Sequence, residues 1–219
     1  MRKNKWSWFA ACLILAGLLG VSNSVYAEYN EPWGIGFSIG WPQPAGKSKQ
    51  FMGPGFGIGL HGTWQKEDSF LGVRLDGLYS GHNLTNQVIN GITFSQDGYI
   101  NIWGIAASLM LTPRGAEKFK PHIYAGPGYF YQIAETYRYG AAAGWVCDPW
   151  WGCYPVSTTT EVAHKSRASF GLLAGAGLEI CFERYGSLVF DVQYIAIDNE
   201  GGNDNTEFVP LNIGYKWRF

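Results

Sequence analysis

One pattern constrains this chain more than any other: stretches of about nine to eleven residues in which every second side chain is apolar or aromatic and the intervening ones are small or polar. A period of two puts successive side chains on opposite faces of an extended strand, so each stretch has one apolar face and one that is not. Trp33, Ile35, Phe37, Ile39 and Trp41 alternate with Gly34, Gly36, Ser38 and Gly40. Phe56, Ile58, Leu60 and Trp64 alternate with Gly57, Gly59, His61 and Thr63. A third stretch sets Leu71, Val73, Leu75 and Tyr79 against Gly72, Arg74 and Asp76. The fourth, Tyr99 to Thr112, is less regular, because Ile100 and Ile102 oppose Trp103, Ile105, Leu109 and Leu111. A fifth runs from about His122 to Ala134 and a sixth from Arg167 to Phe182, where Phe170, Leu172, Ala174 and Ala176 oppose Gly171, Gly175, Gly177 and Glu179. The seventh sets Leu188, Phe190, Val192 and Tyr194 against Asp191 and Gln193. The eighth sets Val209, Leu211, Ile213, Tyr215, Trp217 and Phe219 against Asn212, Gly214, Lys216 and Arg218.

A soluble sandwich would alternate too, and composition separates the two cases. Aromatic residues make up 16% and charged residues only 15% of the chain, against about 25% charged in ordinary soluble domains. Thirty glycines add to the picture. After Ala27 no continuous apolar stretch reaches the ~20 residues of a spanning helix. The composition suits strands that face lipid, and lipid tolerates no unpaired strand edge, so the strands must close on themselves. The expected fold is therefore all-β: an eight-stranded antiparallel transmembrane up-and-down β-barrel.

The N-terminus reads as an export signal. Arg2, Lys3 and Lys5 precede an apolar run from Trp8 to Val21, and Val25-Tyr26-Ala27 supplies a small-x-Ala cleavage site. Residues 1–27 are expected to be a signal peptide and residues 28–219 an outer-membrane barrel domain. Lys66–Ser69, Pro113–Lys120 and Glu183–Ser187 are short connections, whereas Pro42–Pro54, Gly81–Gly98, Glu135–Lys165 and Asp198–Glu207 are long. Bacterial barrels keep short turns on the periplasmic side, which places both termini there. At the C-terminus, Asn212-x-Gly214-x-x-Trp217-x-Phe219 resembles the terminal signal read by the barrel assembly machinery, the partner expected during insertion. The formal net charge of −1 gives no reason to invoke nucleic acid.

The stretches Pro121-His-Ile-Tyr-Ala-Gly-Pro-Gly-Tyr129 and Phe170-Gly-Leu-Leu-Ala-Gly-Ala-Gly-Leu178 resemble the paired glycine-rich strands of small outer-membrane barrels, the group of the opacity-type proteins, OmpX and the OmpA transmembrane domain. That resemblance implies a structural barrel and carries no catalytic residue.

An eight-stranded barrel has an interior that side chains can just fill, and charges inside it must pair or be hydrated. Arg74, Asp76, Arg167, Glu179, Asp191 and Lys216 have the inward parity, and all but Arg167 count into the periplasmic half. Asp191 and Lys216, on adjacent strands, are expected at similar depth. The expectation is a salt-bridged plug; a rearranging network in a narrow conduit is the alternative.

Three further places could carry chemistry. Cys147 and Cys153 bracket a short Pro- and Gly-containing turn in the longest loop and are expected to form a disulfide in the oxidising periplasm. The ring would display Trp150 and Trp151, with Trp145 and Tyr154 beside it, as exposed binding anchors. Cys181 is left as a free thiol near the periplasmic rim. His164-x-Ser166 resembles the pair used by lipid A deacylase barrels, in which a histidine activates a serine. Such a pair needs an orienting carboxylate; Glu179 is roughly 40 Å away along a continuous strand, and Glu161 is nearer but in loop. The amide-rich Asp198 to Asn205 reads as a solvated turn. No cofactor or metal is implied.

The functional expectation is an integral, non-enzymatic outer-membrane protein whose barrel anchors long outer loops. Outer-membrane lipids, lipopolysaccharide and an extracellular or host partner are its expected contacts, in adhesion or membrane integrity. A small gated pore and a lipid A-modifying enzyme stay open as alternatives.

Overall fold

The computed structural model describes residues 32–66, 69–85, 87–89, 92–94, 97–113, 118–137, 144–148, 150, 152–156, 163–183, 186–199 and 205–219. The expected signal peptide and Glu161 lie outside them. Eight strands close a barrel: β1 (Trp33–Pro44), β2 (Met52–Gln65), β3 (Leu71–Leu84), β6 (Asp97–Leu111), β7 (Phe119–Tyr137), β10 (Ala163–Glu183), β11 (Gly186–Ile197) and β12 (Thr206–Arg218). Two hairpins stand apart from it, β4 (Gln87–Ile89) with β5 (Ile92–Phe94) and β8 (Gly144–Asp148) with β9 (Gly152–Val156). Every barrel strand is antiparallel to both neighbours.

Closure happens between the first and last strands. β1 and β12 pair from Gly34↔Arg218 to Pro44↔Phe208, and the Phe219 amide donates to the Trp33 carbonyl at 3.1 Å. Both ends of the barrel domain therefore lie at the short-turn end. A short 3₁₀ helix, Gly46–Gln50, crosses the opposite rim, where the Glu207 amide donates to Ser48 Oγ at 2.8 Å.

The alternation read from the sequence becomes the two faces of the wall. Trp33, Ile35, Phe37, Leu60, Leu75, Trp103, Ile105, Phe170, Val192 and Trp217 all point outward and are exposed. Ile100 and Ile102 point inward and are fully buried. The irregular fourth stretch is thus a strand with an apolar side chain on both faces, because its inner face meets an apolar part of the lumen.

Several strands run beyond their expected ends. β7 and β10 stay paired as far as His164↔Glu135 and Ala163↔Thr136, and β3 and β6 as far as Asn83↔Tyr99. Once the ladder is in register, each further pair satisfies two backbone groups at little extra ordering cost, so the sheet continues past the apolar band.

Candidate functional site

The lumen divides into two halves. Towards the short turns it is ionic. Arg74 on β3 lies 2.8 Å from Asp76 on its own strand and 2.9 Å from Asp191 on β11. In the closed ring β3 and β11 stand on opposite sides, so Arg74 crosses the lumen to reach its second carboxylate. His122 Nε2 lies 2.8 Å from the other oxygen of Asp191. The Arg74 guanidinium stacks 4.1 Å above the Tyr124 ring, whose hydroxyl accepts from Gln193 Nε2 at 2.9 Å. Nearer the mouth, Glu179 gathers Lys216 at 2.7 Å and Arg218 at 2.8 Å, and Ser187 Oγ donates to it as well. Cys181, a free buried cysteine, lies on the same strand two residues on.

The register corrects the expectation that Asp191 and Lys216 lie at similar depth. Asp191 stands opposite Asn212, whereas Lys216 stands opposite Ser187, two inward positions farther along β12. Register separates the residues, and each finds its counter-ion on another strand. Arg167 keeps the inward parity, opposite Gln132, at the long-loop end of β10. It stands about 40 Å along the strand from Glu179 at ~3.3 Å per residue and belongs to neither cluster. His122, Tyr124, Gln193, Ser187 and Arg218 complete the network, and His61 stands opposite Asp76 on the neighbouring strand; the sequence alone does not bring them together. Their inward parity was readable; their convergence was not. The His61 side chain is buried, and among the described residues its Nε2 has no hydrogen-bond partner.

Towards the long loops the lumen is largely apolar, with Ser80 and His82 hydrogen-bonded to each other among the apolar side chains. Met52, Leu84, Ile100, Ile102, Phe130, Leu173, Ile195, Ile197 and Phe208 form one buried cluster. Phe130 lies across Gly104, Gly128 and Gly171: a Cβ at these positions would sit 2.5, 2.7 and 2.9 Å from its ring. Those inward glycines therefore hold an aromatic ring rather than open space.

Trp150 closes this half from above. It is 3% exposed and part of the apolar cluster, and its indole Nε1 donates to Thr206 Oγ1 at 2.9 Å. Asn199 Nδ2 donates to the same oxygen at 2.9 Å, and Gln132 Nε2 to Asn199 Oδ1 at 3.1 Å. The expected exposed anchor is thus a buried one, since its large apolar ring is better placed over the lumen's apolar half than in water. Asn199, read as part of a solvated turn, is buried in the same arrangement. Cys153 is disulfide-bonded, and its cross-strand partner in the β8–β9 hairpin is Cys147. Trp151 lies outside the described residues, and Trp145 and Tyr154 are described only as backbone, on β8 and β9.

His164 and Ser166 stand on the outer face of β10, near its long-loop end. The carboxylate beside His164 is Glu135, on the paired strand, with Oε1 3.3 Å from Nδ1. Tyr99 on β6 donates to the same carboxylate at 2.5 Å. Glu179 is far along the strand, Glu161 lies outside the described residues, and register brings in Glu135 as the residue opposite His164. Among the described residues the Ser166 hydroxyl has no hydrogen-bond partner, its backbone being held in the ladder opposite Ile133. At the other end of the barrel, Asn212 and Gly214 line the inner face of the β1–β12 seam, while Trp217 and Phe219 are exposed on the outer wall.

Comparison with known proteins agrees with this architecture. A search of curated proteins returns no match. Among solved structures, the barrel is similar to Neisserial surface protein A, with 13% identity, a TM-score of 0.54, and 85% of this chain and 97% of that one covered. It is similar to OprG of Pseudomonas aeruginosa, with 14% identity, a TM-score of 0.53, and 87% and 97% covered. The attachment invasion locus protein Ail of Yersinia pestis matches with 15% identity, a TM-score of 0.50, and 87% and 99% covered. At such identities the likeness is one of fold. The sequence profile described as "Outer membrane protein beta-barrel domain" matches residues 13–219, nearly the whole chain. The chain belongs to that family and is an integral β-barrel of the bacterial outer membrane.

Proposed function

We propose that this barrel is a non-enzymatic anchor, with its long-loop end outside the cell, its short turns and both termini in the periplasm, and its outward-facing loops making contact with the environment or a host. The observation that carries the reading is the filled lumen. Arg74 bridges opposite strands in one half, and Phe130, Phe208 and Trp150 occupy the other. A barrel whose interior is spent on packing has its outer surface and loops left for interaction. The name of one structural neighbour, attachment invasion locus protein, is in keeping with this reading. Planar bilayers test it: the folded protein is expected to give no stable conductance, and steps that scale with a sized-solute series would make it a pore instead.

A second reading has one observation in its favour. Glu135 stands beside His164 where a histidine-activated serine would need its orienting carboxylate. The lipid A of cells overexpressing the protein is expected to keep its full mass. Loss of one acyl chain, abolished by His164→Ala and by Ser166→Ala, would make the barrel a deacylase.

A further inference from the structure

The outer wall over β2, β3, β6, β7 and β10 differs from a plain lipid-facing surface in two ways. It is indented, and the indentation leads up to a polar row. Two grooves of about 750 and 680 Å³ open onto it and share Leu60, Gly77, Ile105 and Tyr129. Both fall in the ~300–1,000 Å³ range of ligand sites. Their floor is made by missing side chains: Gly77 faces outward between Leu60 and Ile105, and a Cβ there would meet nothing within 4 Å. Next along the strands towards the long loops comes an aromatic row, Tyr79↔Trp103↔Tyr131, in which the Tyr79 and Trp103 ring centroids are 4.5 Å apart. Above it stand Asn101, which accepts from the Tyr79 hydroxyl at 2.8 Å, and Ser166 on β10. The last row is Asn83↔Tyr99↔Glu135↔His164.

From groove floor to polar row, Phe170 to Ser166 on β10, is about 13 Å at ~3.3 Å per residue. A single acyl chain laid in the groove would present its headgroup to the polar row. The character of that row selects the headgroup. Glu135 Oε1 lies 3.3 Å from His164 Nδ1 and its Oε2 accepts from Tyr99, so the row's one acidic side chain already engages the imidazole that a phosphate would need. A carboxylate, two amides, a hydroxyl and an imidazole above aromatic rings are groups that hydrogen-bond sugar hydroxyls and pack on sugar faces. The wall is already the membrane interface of the barrel, so its occupant comes from the bilayer.

We propose that this wall is a binding site for one glycolipid, its acyl chain in the groove floored by Gly77 and its saccharide headgroup on Asn101, Glu135, His164 and Ser166. Placing that lipid in the outer leaflet rests on the long-loop end being external; the site itself does not.

The test is native mass spectrometry of the full-length barrel folded in detergent, titrated with lipid A and, separately, with phosphatidylethanolamine. Lipid A is expected to bind at least about tenfold more tightly, a difference of one decade in dissociation constant. Gly77→Phe fills the groove, starting from a Cβ position with nothing within 4 Å, and Glu135→Gln together with His164→Ala changes the headgroup row. Each is expected to weaken lipid A binding about tenfold while leaving phosphatidylethanolamine binding unchanged. A gel-mobility shift on heating verifies that each variant is folded. Equal affinity for the two lipids, or lipid A binding untouched by Gly77→Phe, overturns the site. Protease accessibility of the long loops on intact cells is the separate reading of orientation: selective binding with protected loops would reverse the orientation and keep the site.

Discussion

Arg74 shows what a single inward residue does in a barrel this narrow. It is buried between two carboxylates on opposite walls, so removing it strips Asp76 of its counter-ion and leaves Asp191 with His122 alone where water is scarce. Breaking a buried pair by deleting one partner costs about 3–5 kcal/mol. Arg74→Ala is therefore expected to lower the unfolding free energy by about that amount, measured by urea titration in micelles. Trp150 is a different kind of residue. Its ring closes the apolar half of the lumen, and its indole nitrogen fixes Thr206. Trp150→Ala is expected to speed amide hydrogen exchange in the β8–β9 hairpin and at Thr206, with the barrel ladder unchanged, because loop docking opens at lower free energy than the strands. Exchange rates equal to wild type would show that the ring does not hold the loop.

At the level of elements, the glycines sort by what faces them. Gly128 presents its missing side chain to the Phe130 ring, whereas Gly62 faces outward with nothing within 4 Å. Gly128→Leu is expected to cost about 1–3 kcal/mol through overpacking. Gly62→Leu should fold as well as wild type, and the folded fraction on an unheated gel separates the two. The β8–β9 hairpin adds a covalent element. With Cys153 disulfide-bonded, Cys153→Ser is expected to make this hairpin the first site of proteolytic nicking, read by mass spectrometry of limited digests. The extra pairs at the tops of β7 and β10 carry the Glu135–His164 contact beyond the apolar band; without them the two residues would be loop neighbours with no fixed geometry.

For the whole molecule, closure is the organising fact. Pairing of β1 with β12 removes both sheet edges, which lipid requires because it offers no hydrogen bonds to an open edge. Closure also divides the chain's surroundings into three: a lipid-facing wall, an interior whose ionic and apolar halves are stacked along one axis, and two mouths of unequal elaboration. Proteases added to intact cells are expected to cut in the 138–162 segment and to spare the short turns. Protection of that segment in intact cells, with cutting only after the outer membrane is breached, would invert the proposed orientation.

Strand number, the face each side chain takes and the exposed aromatic wall were legible in the sequence, because a period of two is a local property and lipid rewards it at every step. Inward parity identified Arg74, Asp76, Glu179, Asp191 and Lys216 for the same reason. Which of them meet was decided only by the closed structure. Arg74 reaches Asp191 across the lumen, Lys216 finds Glu179, and Glu135 rather than Glu179 stands beside His164. Trp150 turns inward because an apolar half-lumen exists to receive it. Alternation along a strand belongs to the chain, whereas register between strands and the distance across a closed ring belong to the assembled barrel. Pair contacts depend on the latter.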